Sequence, residues 1–171
     1  MTMQSVEEEG TADRETVPAP TDEWTAATLA HASVTLTTIL GMAGGVGALI
    51  GPLVPLVMYL GYRERSRFVA FHALQSFVYQ VVGVLAYVAL VAVLVVWMAL
   101  AWTVSGLLSV VGIGLLLMPL AALLTVLTGV ILAGAPLAWV GYGLYAAYQV
   151  YQGSDFRYAL IGEWMEREVK L

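Results

Sequence analysis

The sequence predicts an all-α, polytopic membrane protein: a four-transmembrane-helix bundle built as two helical hairpins, with a C-terminal amphipathic helix at the membrane interface. Three observations predict it. The chain is 60% hydrophobic and only 11% charged, whereas soluble domains carry roughly a quarter charged residues. No charged residue stands from Trp24 to Tyr62, or again from Phe68 to Ser154, and stretches of that length without a polar face are read as bilayer segments. All seven Lys and Arg residues lie in the N-terminal tail, in the Arg63 to Arg67 loop or in the C-terminal region, the segregation that cytoplasmic loops impose on basic residues.

Residues 1–23 are acidic and polar and read as a disordered cytoplasmic tail rather than a cleaved leader. Thr21 follows a Pro18-Ala19-Pro20 breaker and is a candidate N-cap, with Asp22 and Glu23 set against the positive end of a helix that begins near Trp24. A single helix from Trp24 to Tyr62 would run about 58 Å, nearly twice the hydrocarbon thickness of about 30 Å. It must fold back, and Gly41-Met42-Ala43-Gly44-Gly45-Val46-Gly47 is the natural hinge. The predicted spans are 24–41 and 46–62. In the second apolar stretch the basic residues again require an even number of crossings, and length allows two, 68–102 and 119–152, joined by an outer connection from Thr103 to Met118. The transmembrane domain is thus 24–153.

Trp24, Tyr59, Tyr62, Trp97, Trp102, Tyr145, Tyr148 and Tyr151 fall near these ends, where amphipathic rings prefer to sit. Residues 154–171 place Leu160, Ile161, Trp164, Met165 and Val169 on one helical face, with Glu163 to Arg167 and Glu166 to Lys170 as i,i+4 pairs on the other, the pattern of a helix lying on the inner leaflet.

Few residues could carry chemistry. The chain has no cysteine, which excludes disulfides, thiolate metal sites and CxxC redox chemistry. His31 is the one strongly polar ring in the first span, and His72, Gln75, Ser76, Tyr79 and Gln80 share a broad face of the third. That polar stripe suits hydrogen bonding between helices; it also suits the lining of a passive path for a small solute. His31 and His72 on facing helices could in principle ligate a haem. His72 and Ser76 are one turn apart, but no carboxylate in either apolar stretch could orient the base, and no acidic or basic side chain there could serve an energised transporter. Gly47 and Gly51 form a GxxxG and Gly143 with Ala147 a looser one, both permitting close helix packing. Arg63, Arg65 and Arg67 are placed to hold anionic headgroups and fix topology; in a chain of net charge −5 they do not form a nucleic-acid site.

Gly51-Pro52-Leu53-Val54-Pro55-Leu56, Arg65-Ser66-Arg67-Phe68-Val69-Ala70-Phe71-His72-Ala73, Gln80, His31-Ala32-Ser33 and Phe156-Arg157-Tyr158-Ala159-Leu160 together resemble the Tic20-like (DUF4870) family of small bacterial membrane proteins, over about 24–162. The sharpest shared element is His72 followed eight residues on by Gln80. The sequence departs from that pattern at Gln75, where a glutamate is common, and at Ala159, where a proline is common. The resemblance implies a membrane-embedded partner or conduit, since the plastid relative is a subunit of a protein-import machinery.

The sequence therefore points to a non-enzymatic, multi-pass protein of the cell membrane with both termini in the cytoplasm. It would act as a helix-packing subunit or scaffold, in contact with lipid and with other membrane proteins or itself, in an assembly that could be translocation-like. No cofactor is called for. A passive channel or carrier is the alternative from another class, and a haem protein a minor one.

Overall fold

The computed structural model describes residues 21–159, 161, 162 and 165. The predicted tail is thus described only from Thr21, and of the predicted surface helix Leu160, Glu163, Trp164, Glu166, Arg167, Val169 and Lys170 lie outside the described residues. The described secondary structure is entirely helical. In chain order come α1 (Thr21–Ala32), α2 (Val34–Gly44), a 3-10 helix (Gly45–Leu49), α3 (Leu53–Tyr62), α4 (Arg67–Leu108) and, after a short 3-10 turn, α5 (Ile113–Tyr151). Three helical stretches, Thr21–Leu49, Arg67–Val111 and Ile113–Tyr151, are long and apolar enough to cross a membrane, whereas Leu53–Tyr62 is shorter.

The first hairpin reverses at Gly44 and Gly45, inside the predicted glycine hinge, but the returning arm begins as a 3-10 helix and becomes α-helical only at Leu53. The cause is crowding. A Cβ added at Gly47 would land on the Leu40 carbonyl, and one at Gly51 would land on Thr37, so the arm lies against α2 closer than side chains allow. Pro52 then precedes the first turn of α3, where a missing N–H costs no helical hydrogen bond. The predicted span 46–62 is therefore corrected to a 3-10 arm followed by a short helix.

The arginine loop is the turn between α3 and α4. Ser66 closes it as the N-cap of α4, its Oγ accepting the Val69 N–H at 3.2 Å, and Arg63, Arg65 and Arg67 stand exposed around it.

The second hairpin departs further from expectation. The connection predicted over Thr103 to Met118 is helical almost throughout: α4 has 42 residues and α5 has 39, about 63 and 58 Å long. The reversal is confined to Ser109–Gly112, where Gly112 takes φ 81°, a left-handed conformation that suits glycine. Gly114 lets α5 start directly against Ser105 and Ser109. Pro119 and Pro136 sit inside α5.

The two hairpins differ in height. The groove between them is lined on α4 as far as Val91, on α5 from Ala135, and at the first hairpin's tip by Met42 and Gly45. Beyond that level α4 and α5 continue as a pair, joined by Tyr87 Oη donating to the Leu132 carbonyl at 3.0 Å and Trp102 Nε1 donating to Thr125 Oγ1 at 2.9 Å.

Candidate functional site

The buried polar side chains gather at the end of the bundle nearest the arginine loop, where α1 packs against the first four turns of α4 and the last turns of α5. His31, Thr37, His72, Gln75, Ser76 and Gln80 are all fully buried. On α4 these residues recur every three to four positions, which puts them on one face toward α1.

One part of this seam consists of hydroxyls and an amide. Gln80 Oε1 accepts from Thr37 Oγ1 at 2.5 Å, and Gln80 Nε2 donates to Ser33 Oγ at 2.8 Å and Ser76 Oγ at 3.1 Å. Ser76 Oγ and Ser33 Oγ both donate to the Ala30 carbonyl, at 2.6 and 2.7 Å. Two hydroxyls on one helical carbonyl disturb the local ladder, and the break between α1 and α2 falls there, at Ser33. Gln80 thus ties α4 to the break and to α2, and Ser76 ties it to α1.

The other part is a line of rings. His31 Nε2 lies 3.1 Å from His72 Nδ1, and His31 Nδ1 lies 3.2 Å from Tyr158 Oη. On the far side, His72 Nε2 is 3.3 Å from Asp155 Oδ1; that contact is close but poorly aligned, so His72 Nε2 has no regular hydrogen bond. Asp155 is anchored in turn by Arg157 at 2.8 Å. The ionised carboxylate fixes the proton order. A proton on His72 Nε2 faces Asp155, which leaves His72 Nδ1 to accept from His31 Nε2–H, and His31 Nδ1 to accept from Tyr158 O–H. Every ring nitrogen then has a role with both imidazoles neutral. His72 holds the Asp155 carboxyl down to about 2, working with Arg157 against the cost of partial burial, and burial together with neighbouring phenols pushes the Tyr158 phenol up.

The C-terminal segment reaches this position because α5 ends in a turn. Gly153 takes φ 81° and donates to the Val150 carbonyl at 2.9 Å, with Ser154 donating to Gln149 at 2.9 Å, a glycine-type helix stop that throws residues 155–158 back over the bundle. Tyr158 stacks on Tyr79 with ring centroids 4.1 Å apart, and Phe156 stands edge-on to His31 and Tyr145. Arg157 lies over the Phe71 ring. Tyr79 Oη donates to the Trp139 carbonyl at 2.6 Å. Gln75, beside Gly162, keeps both amide atoms buried without a hydrogen-bond partner.

The structure therefore brings together His31, His72, Ser76, Tyr79 and Gln80 of the predicted stripe, and leaves Gln75 adjacent but unbonded. The Ser76 hydroxyl is committed to Ala30 and Gln80 rather than to His72. The two histidines touch directly, which leaves no room for an iron and its macrocycle between them and corrects the haem reading. A groove of about 560 Å³ lies alongside, lined by Thr37, Gly41, Gly83, Tyr87, Pro136 and Trp139, and its lining includes neither histidine nor Gln80. Gly143 and Ala147 pack inward, an added Cβ at Gly143 falling on Val34.

Sequence reasoning missed Ser33, Thr37, Asp155 and Tyr158. Asp155 had a signal, as the sole carboxylate between Glu64 and Glu163, four residues beyond a helix whose first partner on the other side carries a histidine.

A model of the magnetosome magnetite crystal formation protein family, MamF/MmsF, matches residues 22–165. This corrects the Tic20-like (DUF4870) resemblance: the motifs that suggested it, His31-Ala32-Ser33, Arg65 to Ala73, Gln80 and the start of Phe156 to Leu160, all lie within the matched region. No curated protein and no solved structure matches the chain.

Proposed function

Because the chain belongs to the magnetosome magnetite crystal formation family, we propose that it is a non-enzymatic, multi-pass protein of the membrane around the forming magnetite crystal. Its role there is to shape or support crystal growth as a helix-packing component in contact with lipid and with other proteins of that membrane. The carrying observation is the family match, which covers α1 to α5 together with the returning C-terminal segment. The seam is compatible with a packed, fixed body: its hydroxyls and imidazoles are spent on each other, and no nucleophile is left facing a base.

Four crossings are part of this proposal. The first hairpin crosses as α1–α2 and returns as the 3-10 arm with α3; the second crosses as α4 and returns as α5, with the arginine loop and both termini in the cytoplasm. Single cysteines at Ser66, Ala43 and Ser109 test the topology, since the chain has none of its own. Ala43 and Ser109 should label from the non-cytoplasmic side and Ser66 should not; the reverse pattern removes the topology.

The functional test is complementation. In a magnetite-forming bacterium lacking its own family member, the chain should reach the magnetosome membrane and restore crystal dimensions seen by electron microscopy. Correct delivery with crystals unchanged would overturn the reading.

A further inference from the structure

We infer that Asp155 to Tyr158 form a releasable latch, seated on the His31–His72 pair and freed when that pair takes up a second proton. The observation is the direct imidazole contact of 3.1 Å, bounded at one end by Tyr158 and at the other by Asp155. Both bounding groups belong to one short segment that follows the Gly153 turn. The segment and the pair therefore share a proton count.

With the latch seated and both rings neutral, the order Tyr158 to His31 to His72 to Asp155 places one proton in each contact. One added proton can be held on His72 beside the Asp155 carboxylate, but only by reversing the line. His72 Nδ1–H then donates to His31, His31 Nδ1–H donates to Tyr158, and the Tyr158 hydroxyl proton loses its acceptor while the residue is 2% exposed. A second added proton cannot be held at all, because it sets N–H against N–H across 3.1 Å with two like charges in a buried site. Release removes the constraint and lets both rings be charged. The seated form binds at most one extra proton and the released form two, so lowering the pH favours release.

Among the described residues, the surroundings do not supply a countercharge that would cancel this. The titratable or charged groups against the pair are Asp155, Arg157 and Tyr158 from the segment, Tyr79 from α4, and Tyr142 and Tyr145 from α5. Asp155 is the single carboxylate among them, and Arg157 already shares it. Release would uncover Tyr79 and Phe71, an aromatic surface at the arginine-loop end of the bundle.

The test is a spin label on Ala159→Cys, an exposed position, in the full chain reconstituted in lipid nanodiscs. Between pH 8 and pH 5 the immobile spectrum should give way to a mobile one, with the released-to-seated ratio changing about tenfold per pH unit below the midpoint. His31→Gln, which removes the second chargeable ring, should abolish the response. Should that variant not fold, Tyr158→Phe decides, because it deletes only the hydroxyl on His31 and should move the midpoint to higher pH. A spectrum unchanged from pH 8 to 5, or a midpoint unmoved by Tyr158→Phe, would overturn the latch.

Discussion

The two ends of the α4–α5 hairpin are built from the same apolar alphabet and held by different means. Near the arginine loop, α4 is enclosed by α1, α3, α5 and the C-terminal segment, and its inward face carries His72, Gln75, Ser76 and Gln80 fully buried. Toward Gly112, α4 and α5 have only each other among the described residues, and Val96, Leu107, Leu116, Leu120 and Val130 are left exposed. Between lipid and apolar side chains there is little driving force for association, so the distal pair depends on close backbone contact at Gly114 and a few bonds such as Trp102 to Thr125. The proximal end adds a connected polar seam. Stability is thereby concentrated where the polar groups are, which inverts the rule of soluble cores.

Replacing the seam's centre should separate the two ends most sharply. His72→Leu leaves the buried His31 Nε2 without its partner and removes the histidine contact of Asp155, and should cost about 3 kcal/mol, while Leu116→Ala, at an 81% exposed distal position, should stay within about 0.5 kcal/mol. Detergent unfolding titrations compare them directly. Equal losses would mean the seam contributes no more than the distal hairpin does.

The same edit made at two glycines should change sign. Gly51→Ala drives a Cβ into Thr37 and should destabilise by about 2 kcal/mol, whereas Gly129 has open space around it and Gly129→Ala should gain up to about 1 kcal/mol from helix propensity. Thermal unfolding of the pair reads both.

A smaller contrast lies in the hydrogen bonds. Gln80→Leu frees the hydroxyls of Ser33 and Thr37 and should lose about 1 to 2 kcal/mol, against about 0.6 kcal/mol for the Trp102 bond across the distal pair that Thr125→Val removes along with Thr125's own bond to the Ala121 carbonyl. Double-mutant cycles with Ser33→Ala should show coupling only for the proximal case.

The least effect belongs to Asp155, half exposed and shared with Arg157. Its carboxyl is held at about 2, below the usual 3.8. Its stabilising contribution is therefore complete above about pH 4 and lost as the pH falls toward 2. Asp155→Asn should flatten that acid limb of the unfolding profile and leave its neutral plateau slightly lower.

What was legible in the sequence follows the same division. The glycine hinge, the inward face from His72 to Gln80 and the small residues Gly47, Gly51 and Gly143 could be read because each rests on local spacing or on a residue's own geometry. The extent of α4 and α5 could not, because a helix flanked by lipid tolerates both the glycines of Thr103 to Met118 and an internal proline such as Pro119. The partners of the histidines were hidden for another reason. Asp155 and Tyr158 are more than 80 residues from His72, and only the fold, through the turn at Gly153, brings them back.

The unequal height of the two hairpins has a last consequence, for the shape of the sheet that holds them. At the level of the histidine seam the body is four rods wide; past Val91 and Ala135 it is two, each rod about 10 Å across. With the first hairpin crossing both leaflets, the narrowing falls at the far interface, because α4 from Arg67 to Val91 already runs about 37 Å against a hydrocarbon core of about 30 Å. The paired rods continue past it with Leu107 and Leu116 exposed, and their apolar surface favours a bilayer drawn up around them. Reconstitution in lipids of increasing chain length measures this: thermal stability should rise with bilayer thickness, and a stability that does not respond would show that the distal pair needs no lipid around it.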